Sequence, residues 1–238
     1  MKNTLSILLI LFTLNTFGQE INSKRTILSE QSIVRGEDGM VYPYKMWKQL
    51  MASSKYALKN RETLTDGGLP EYMIVELKGK DLSTYFEKMP KPTLSEAFSI
   101  DQTFNGLKVS DVNGKKYDLK NLNGKTLVLN FWFIAGDASK TLMPALNDIY
   151  ELYKNNKDVI FLSFCNNQKQ EIEDFLKTTP YKFNIVDDAR SLAQRYKVKS
   201  YPTTIVVDKN NQIKFSGVGS SPASSYWIKK AIEESLSR

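Results

Sequence analysis

The chain contains one cysteine, Cys165, and no histidine. These two counts restrict its chemistry before any element is assigned. A single thiol forms no internal disulfide, and it cannot both attack a substrate disulfide and resolve the mixed disulfide that follows. Without imidazole the common zinc sites, the Ser-His-Asp triad and the Cys-His dyad are excluded. Ser139 precedes Lys140, but a serine hydroxyl needs an adjacent base, and successive helix residues point in different directions. The carboxylate pairs Asp187-Asp188 and Glu233-Glu234 read as solvated helix ends. "NGKT" at 123–126 ends like a phosphate-binding loop, yet the required earlier glycine falls at Leu119 and a strand follows, so it reads as a turn. No metal site and no cofactor is expected from these residues.

The elements that must position Ser139 and Cys165 are legible. "TLVLNFWFI" is a near-continuous apolar run, suited to a central strand covered on both faces. After it, Leu142, Leu146, Ile149 and Tyr153 recur at helical spacing, one stripe of a helix. "VIFLSFC" is a second buried strand that ends at Cys165, and "QEIEDFLKT" and "SLAQRYKV" are short helices. "TTIVVD" and "QIKFSGV" form a hairpin around "KNN", and Ile228, Ala231, Ile232 and Ser235 line a closing helix. Asn113-Gly114 marks an earlier hairpin turn. Strands alternating with helices give an α/β fold with a mixed sheet flanked by helices.

Upstream, "KMPKPTLSE" at 88–96 reads as a stiff connector, dividing a small N-terminal α+β segment, 19–92, from a larger domain, 93–238. In the smaller part "MVYPYKMWKQLM" suggests a strand leading into a helix, with Met46, Trp47, Leu50 and Met51 on one side, and "EYMIVEL" suggests a strand. Residues 1–18 read as a secretory signal peptide: Lys2 is followed by an apolar run, Leu5 to Leu14, and Gly18 offers a cleavage point. No later run reaches membrane length, so the expected location is periplasmic or extracellular with no membrane span. The formal charge is +7, and removal of Lys2 leaves +6. The basic residues are scattered rather than gathered with aromatics, which argues against a nucleic-acid footprint.

From about Ser95 onward the sequence resembles the TlpA-like thioredoxin-fold disulfide reductases of bacterial envelopes. The carriers are "GKTLVLNFWF", "MPALNDIYELY" and "YKVKSYPTTIVVDKNNQI", with Asn130-Phe131-Trp132, Met143-Pro144 and Tyr201-Pro202-Thr203 at the family's N-F-W, M-P and Y-P-T positions. The resemblance implies a thioredoxin-like fold, a cis bond before Pro202 that exposes backbone groups for an extended peptide, and a redox pair at the start of the helix. Counting back from Met143-Pro144, the two cysteine positions hold Gly136 and Ser139, and the position where relatives often carry a glutamate holds Leu142. The CxxC turn reads Gly136-Asp137-Ala138-Ser139, and all three reactive positions are degenerate.

The expected function is therefore a non-catalytic polypeptide-binding module of the redoxin kind, acting on an envelope protein partner. Its expected binding residues are Gly136, Asp137, Ser139, Tyr201, Pro202 and Thr203, with Asp137 or Ser139 capping the helix. The alternative is a thiol-disulfide oxidoreductase that uses Cys165 alone. Cys165 stands at the carboxyl end of a strand, where sites gather in parallel sheets, but a free cysteine is more often a small buried apolar group. The peroxide-reducing relatives carry their reactive cysteine after the preceding strand. A third possibility is a structural subunit whose partner docks on the N-terminal part.

Overall fold

The computed structural model describes residues 28–52 and 55–237. The expected signal peptide lies outside these residues. In chain order the elements are β1 (Ile33–Arg35), α1 (Tyr44–Ala52), β2 (Tyr56–Leu64), β3 (Pro70–Glu76), α2 (Gly79–Lys88), β4 (Lys108–Ser110), β5 (Lys116–Asp118) and β6 (Thr126–Trp132). They continue with α3 (Asp137–Tyr153), β7 (Val159–Cys165), α4 (Lys169–Leu176), β8 (Asn184–Val186), α5 (Arg190–Arg195), β9 (Thr203–Val207), β10 (Ile213–Val218) and α6 (Ser224–Ser237).

A five-stranded mixed sheet, order β10-β9-β6-β7-β8, forms the larger layer. β6 runs parallel to β7 and antiparallel to β9, in the register Trp132↔Cys165 and Phe131↔Thr203. Every residue of β6 is buried because both of its faces are covered. Val128 and Trp132 face a cluster with Leu142, Met143, Leu146 and Ile149 of α3 and Ile228 and Ile232 of α6. Leu127, Leu129 and Phe131 face the other way, towards Phe98, Phe104, Leu119 and Ala193. The period-2 alternation of a strand thus supplies both cores.

Asn130 is the polar exception inside β6, at 1% exposure. Its Nδ2 donates to the Tyr181 hydroxyl at 3.0 Å, and its Oδ1 accepts from the Thr204 hydroxyl at 3.0 Å. Satisfying both ends of the amide removes most of the cost of burying it.

The chain covers the edges of this sheet itself. On β10, Val218 N–H donates to Thr93 O at 2.8 Å, Ile213 N–H to Gln102 O at 3.0 Å, and Asp101 N–H to Ile213 O at 2.7 Å. At the opposite edge Val112 N–H donates to Ile185 O at 2.8 Å. The segment read as a stiff connector is bonded to β10 at Thr93, where its backbone meets unpaired strand groups.

The N-terminal strands form a separate three-stranded sheet, order β1-β3-β2, with β1 parallel and β2 antiparallel to β3. Trp47, Leu50 and Met51 of α1 pack on Val34 and Ile74, whereas Met46, expected on the same side, is 45% exposed. It precedes Trp47 by one residue, about 100° around the helix from it, and so turns outward. Phe86 of α2 packs with Ala57, Val75 and Leu77 against Ala223, Tyr226 and Trp227 at the start of α6. The small sheet is thereby anchored on the larger layer rather than suspended from it.

Candidate functional site at the start of the third helix

The turn between β6 and α3 reads Phe133 to Gly136. Gly136 occupies the N-cap with extended backbone, φ −81° and ψ 109°, and α3 begins at Asp137. The expectation that Asp137 or Ser139 caps the helix fails here. No side chain bonds to the capping backbone, because the residue in the cap position is a glycine. Asp137 instead lies in the first turn, its side chain 97% exposed and 3.4 Å from Lys140 Nζ.

Ser139 sits on the inner face at 2% exposure, and its hydroxyl has no hydrogen-bond partner. Thr141 shows the usual alternative, donating its hydroxyl to Asp137 O at 2.9 Å. A Cβ built on Gly136 would stand 3.1 Å from Ser139 Oγ and 3.2 Å from the Phe133 ring. The two positions matched to the family's cysteines therefore face each other across about the distance that separates one sulfur from its partner's Cβ in a disulfide, ~3 Å. Leu142, at the family's glutamate position, is buried in the core.

The second half of the site is the loop before β9. The Tyr201-Pro202 bond is cis. The loop is held by Thr203 Oγ1 donating to Ser200 O at 2.7 Å and by Gly219 N–H donating to Pro202 O at 2.8 Å. The backbone N–H and C=O of Tyr201 make no hydrogen bond among the described residues. Its ring meets Phe133 edge to face, centroids 5.4 Å apart, which ties this loop to the β6–α3 turn. Thr203 is itself fully buried at the start of β9, so it supports the loop rather than lining an open surface.

Cys165 lies on the same side of the sheet, but it is fully buried. Its sulfur is 3.8 Å from Asn167 Oδ1, and burial pushes its thiol up to about 12. A reactive thiol needs the opposite, a depressed pKa in a cationic and accessible setting. Asn167 does more for the turn than for the thiol: its Oδ1 accepts from Ile134 N–H at 3.0 Å, and its Nδ2 donates to Glu171 Oε1 at 3.1 Å. Neither Phe133 nor Asn167 stood out from the sequence, since an aromatic and an amide in loops carry no spacing signal. Among the described residues no group of three or more acidic or cysteine side chains is placed to hold a metal ion. No helix there is long and apolar enough to cross a membrane.

Residues 123–213 match the family model of the thioredoxin-like proteins, and the fold and turn described above define a thioredoxin-like domain. Relatives similar to it are named thiol-disulfide oxidoreductases, with the difference that this chain has one cysteine and no Cys-X-X-Cys. The thiol-disulfide oxidoreductase ResA of Bacillus cereus is 29% identical over 119 residues, which cover 50% of this chain and 69% of ResA. The thioredoxin-like protein YneN of Bacillus subtilis is 29% identical over 127 residues, covering 52% and 71%. Two solved structures share the fold. A Chlorobium tepidum protein described as the thiol:disulfide interchange protein DsbE has a TM-score of 0.52 at 20% identity, covering 58% of this chain and 99% of that one. A Bacteroides thetaiotaomicron protein described as a protein disulfide isomerase has a TM-score of 0.54 at 18% identity, covering 61% and 95%.

Proposed function

We propose that this protein is an exported, non-catalytic binder of extended polypeptide in the cell envelope, using Gly136, Asp137, Ser139, Tyr201 and Pro202, with Thr203 supporting the loop from beneath. The observation that carries this reading is the unpaired backbone of Tyr201 beside a helix start that has no sulfur. An unpaired N–H and C=O on one residue next to a strand is the minimal template for pairing with a peptide, and backbone pairing of that kind is tolerant of the partner's sequence. The relatives' thiol-disulfide exchange does not carry over, because Gly136 and Ser139 supply no thiol and Cys165 is buried with its thiol held protonated.

The test uses the alkylated B chain of insulin, an extended polypeptide without free thiols, followed through the amide resonances of Gly136 to Lys140 and of Tyr201 and Thr203. These shifts are expected to saturate together, and to do so equally in Cys165→Ser. Binding that is lost in Cys165→Ser transfers the function to the thiol. Shifts confined to residues 33–88 transfer it to the small sheet.

A further inference from the structure

The start of α3 presents a group of free donors, as helix starts without a side-chain cap do. The N–H groups of Asp137, Ala138 and Ser139 donate to no acceptor among the described residues, since the first bond of this helix runs from Lys140 N–H to Gly136 O at 3.1 Å. Ordinarily an Asp, Ser or Thr at the N-cap accepts from such groups. Here the cap is Gly136, which brings no side-chain acceptor to these groups, and its Cβ position is closely bordered. The Ser139 hydroxyl, 2% exposed and without a partner, points at that place, as its 3.1 Å distance to a Cβ built on Gly136 records. The ring edge of Phe133 borders it at 3.2–3.3 Å, and the edge of an aromatic ring is its positive part.

We propose that this N-terminus of α3 is a carboxylate-binding site, filled by an aspartate, a glutamate or the C-terminal carboxylate of the polypeptide bound at Tyr201. The identity of the ligand as a polypeptide rests on the function proposed above, whereas the preference for a carboxylate rests on the donors alone. A carboxylate accepts at two oxygens and donates nothing, which matches three N–H groups that only donate beside a hydroxyl that can turn its proton towards it. The positive end of a 17-residue helix adds attraction for an anion. Asp137 is the charge that opposes it, but its side chain is turned to water and paired with Lys140. The missing cap is thus supplied by the partner, and the same atoms that would steady a thiolate select for acidity.

The experiment compares sodium acetate with two end-capped pentapeptides, Ala-Val-Asp-Val-Ala and Ala-Val-Asn-Val-Ala, by amide shifts at residues 137–140 and 201. The Asp peptide is expected to bind roughly tenfold more tightly than the Asn peptide, as one charge-assisted set of bonds replaces a neutral one. Ser139→Ala narrows that preference. Gly136→Asp, which brings its own carboxylate to the cap, abolishes it while leaving the shift at Tyr201, and its thermal midpoint verifies that it folds. Equal binding of the two peptides with a shift at Tyr201 overturns the carboxylate site and leaves polypeptide binding standing. Saturable acetate shifts at 137–140 with no binding of either peptide do the reverse. A preference that persists in Gly136→Asp, or no response to acetate or to either peptide, also overturns the site.

Discussion

Phe133 and Tyr201 meet edge to face at an interplanar angle of 87°, and this pair joins the two loops that make up the site. One ring follows β6 and the other precedes β9, so the contact fixes the distance between the helix start and the free backbone of Tyr201. Such aromatic pairs couple by about 0.5–1.5 kcal/mol beyond their buried area. A double-mutant cycle over Phe133→Leu and Tyr201→Leu, read by denaturant unfolding, should return a coupling of that size. A coupling near zero means that the loops are positioned independently.

Gly136 and Ser139 should accept the sulfurs that relatives carry. With the Gly136 Cβ position 3.1 Å from Ser139 Oγ, the variant Gly136→Cys with Ser139→Cys should form a disulfide that opens and closes reversibly, measured by thiol titration against a redox buffer. A folded double variant whose thiols never pair shows that the two positions do not correspond to the family's cysteines. The unmodified protein should reduce insulin disulfides no faster than background.

Cys165 should be silent in the folded protein. At neutral pH a thiol reagent should leave it unmodified until denaturant is added, and then react with one equivalent. The thiol also shapes the response to alkali. An unfolded thiol ionises near 8.5, while burial holds the native one up to about 12. The stabilising effect of burying the neutral thiol is complete below pH 8.5 and is lost as pH rises towards 12, by about 1.4 kcal/mol per unit. The stability advantage of the unmodified protein over Cys165→Ala should therefore narrow by about 1–2 kcal/mol between pH 9 and 10.5. Rapid labelling of the folded protein would return the lone-thiol enzyme to consideration.

The small sheet should come loose if its anchor is removed. Phe86 is 1% exposed and stacks on Tyr226 at 5.3 Å, and Glu87 accepts from Lys230 Nζ at 2.7 Å beside it. Phe86→Ala should cost about 3–5 kcal/mol. Limited proteolysis should then cut within residues 89–92 faster than in the unmodified protein. An unchanged rate means that the stitching at Thr93 holds that segment without help from α2.

How far the sequence revealed this arrangement depends on burial. β6, α3 and β7 were legible because each buries a full face, and full burial writes an apolar run or stripe. The structure puts Gly136 and Ser139 at the start of α3 and the cis Tyr201-Pro202 bond just before β9. β2 was not legible: "YALKNRETL" exposes six of its nine residues, so its place in a sheet depends on β3 rather than on any apolar pattern of its own. β8 has three residues and is equally mute. α2 could have been found, since Leu82, Tyr85, Phe86 and Met89 recur at helical spacing. The cap at Asp137 or Ser139 was misjudged because composition does not reveal at which residue a helix begins, and a shift of one or two positions turns a capping hydroxyl into a buried one.

The stitched edges of the five-stranded sheet bear on how copies of this molecule behave when crowded. Strand-to-strand polymerisation begins at an unsatisfied row of N–H and C=O groups. Thr93, Asp101 and Gln102 occupy that row on β10, and Val112 bonds β8 at the other side. On the small sheet, the edge strand β2 is loaded with charge by Lys59, Arg61 and Glu62, and Glu62 adopts a positive φ of 59°, breaking the flat register a neighbour would need. On the binding function proposed above, the molecule would hold one short stretch of another chain at Tyr201 without offering the edges of the five-stranded sheet on which that chain could seed a fibril.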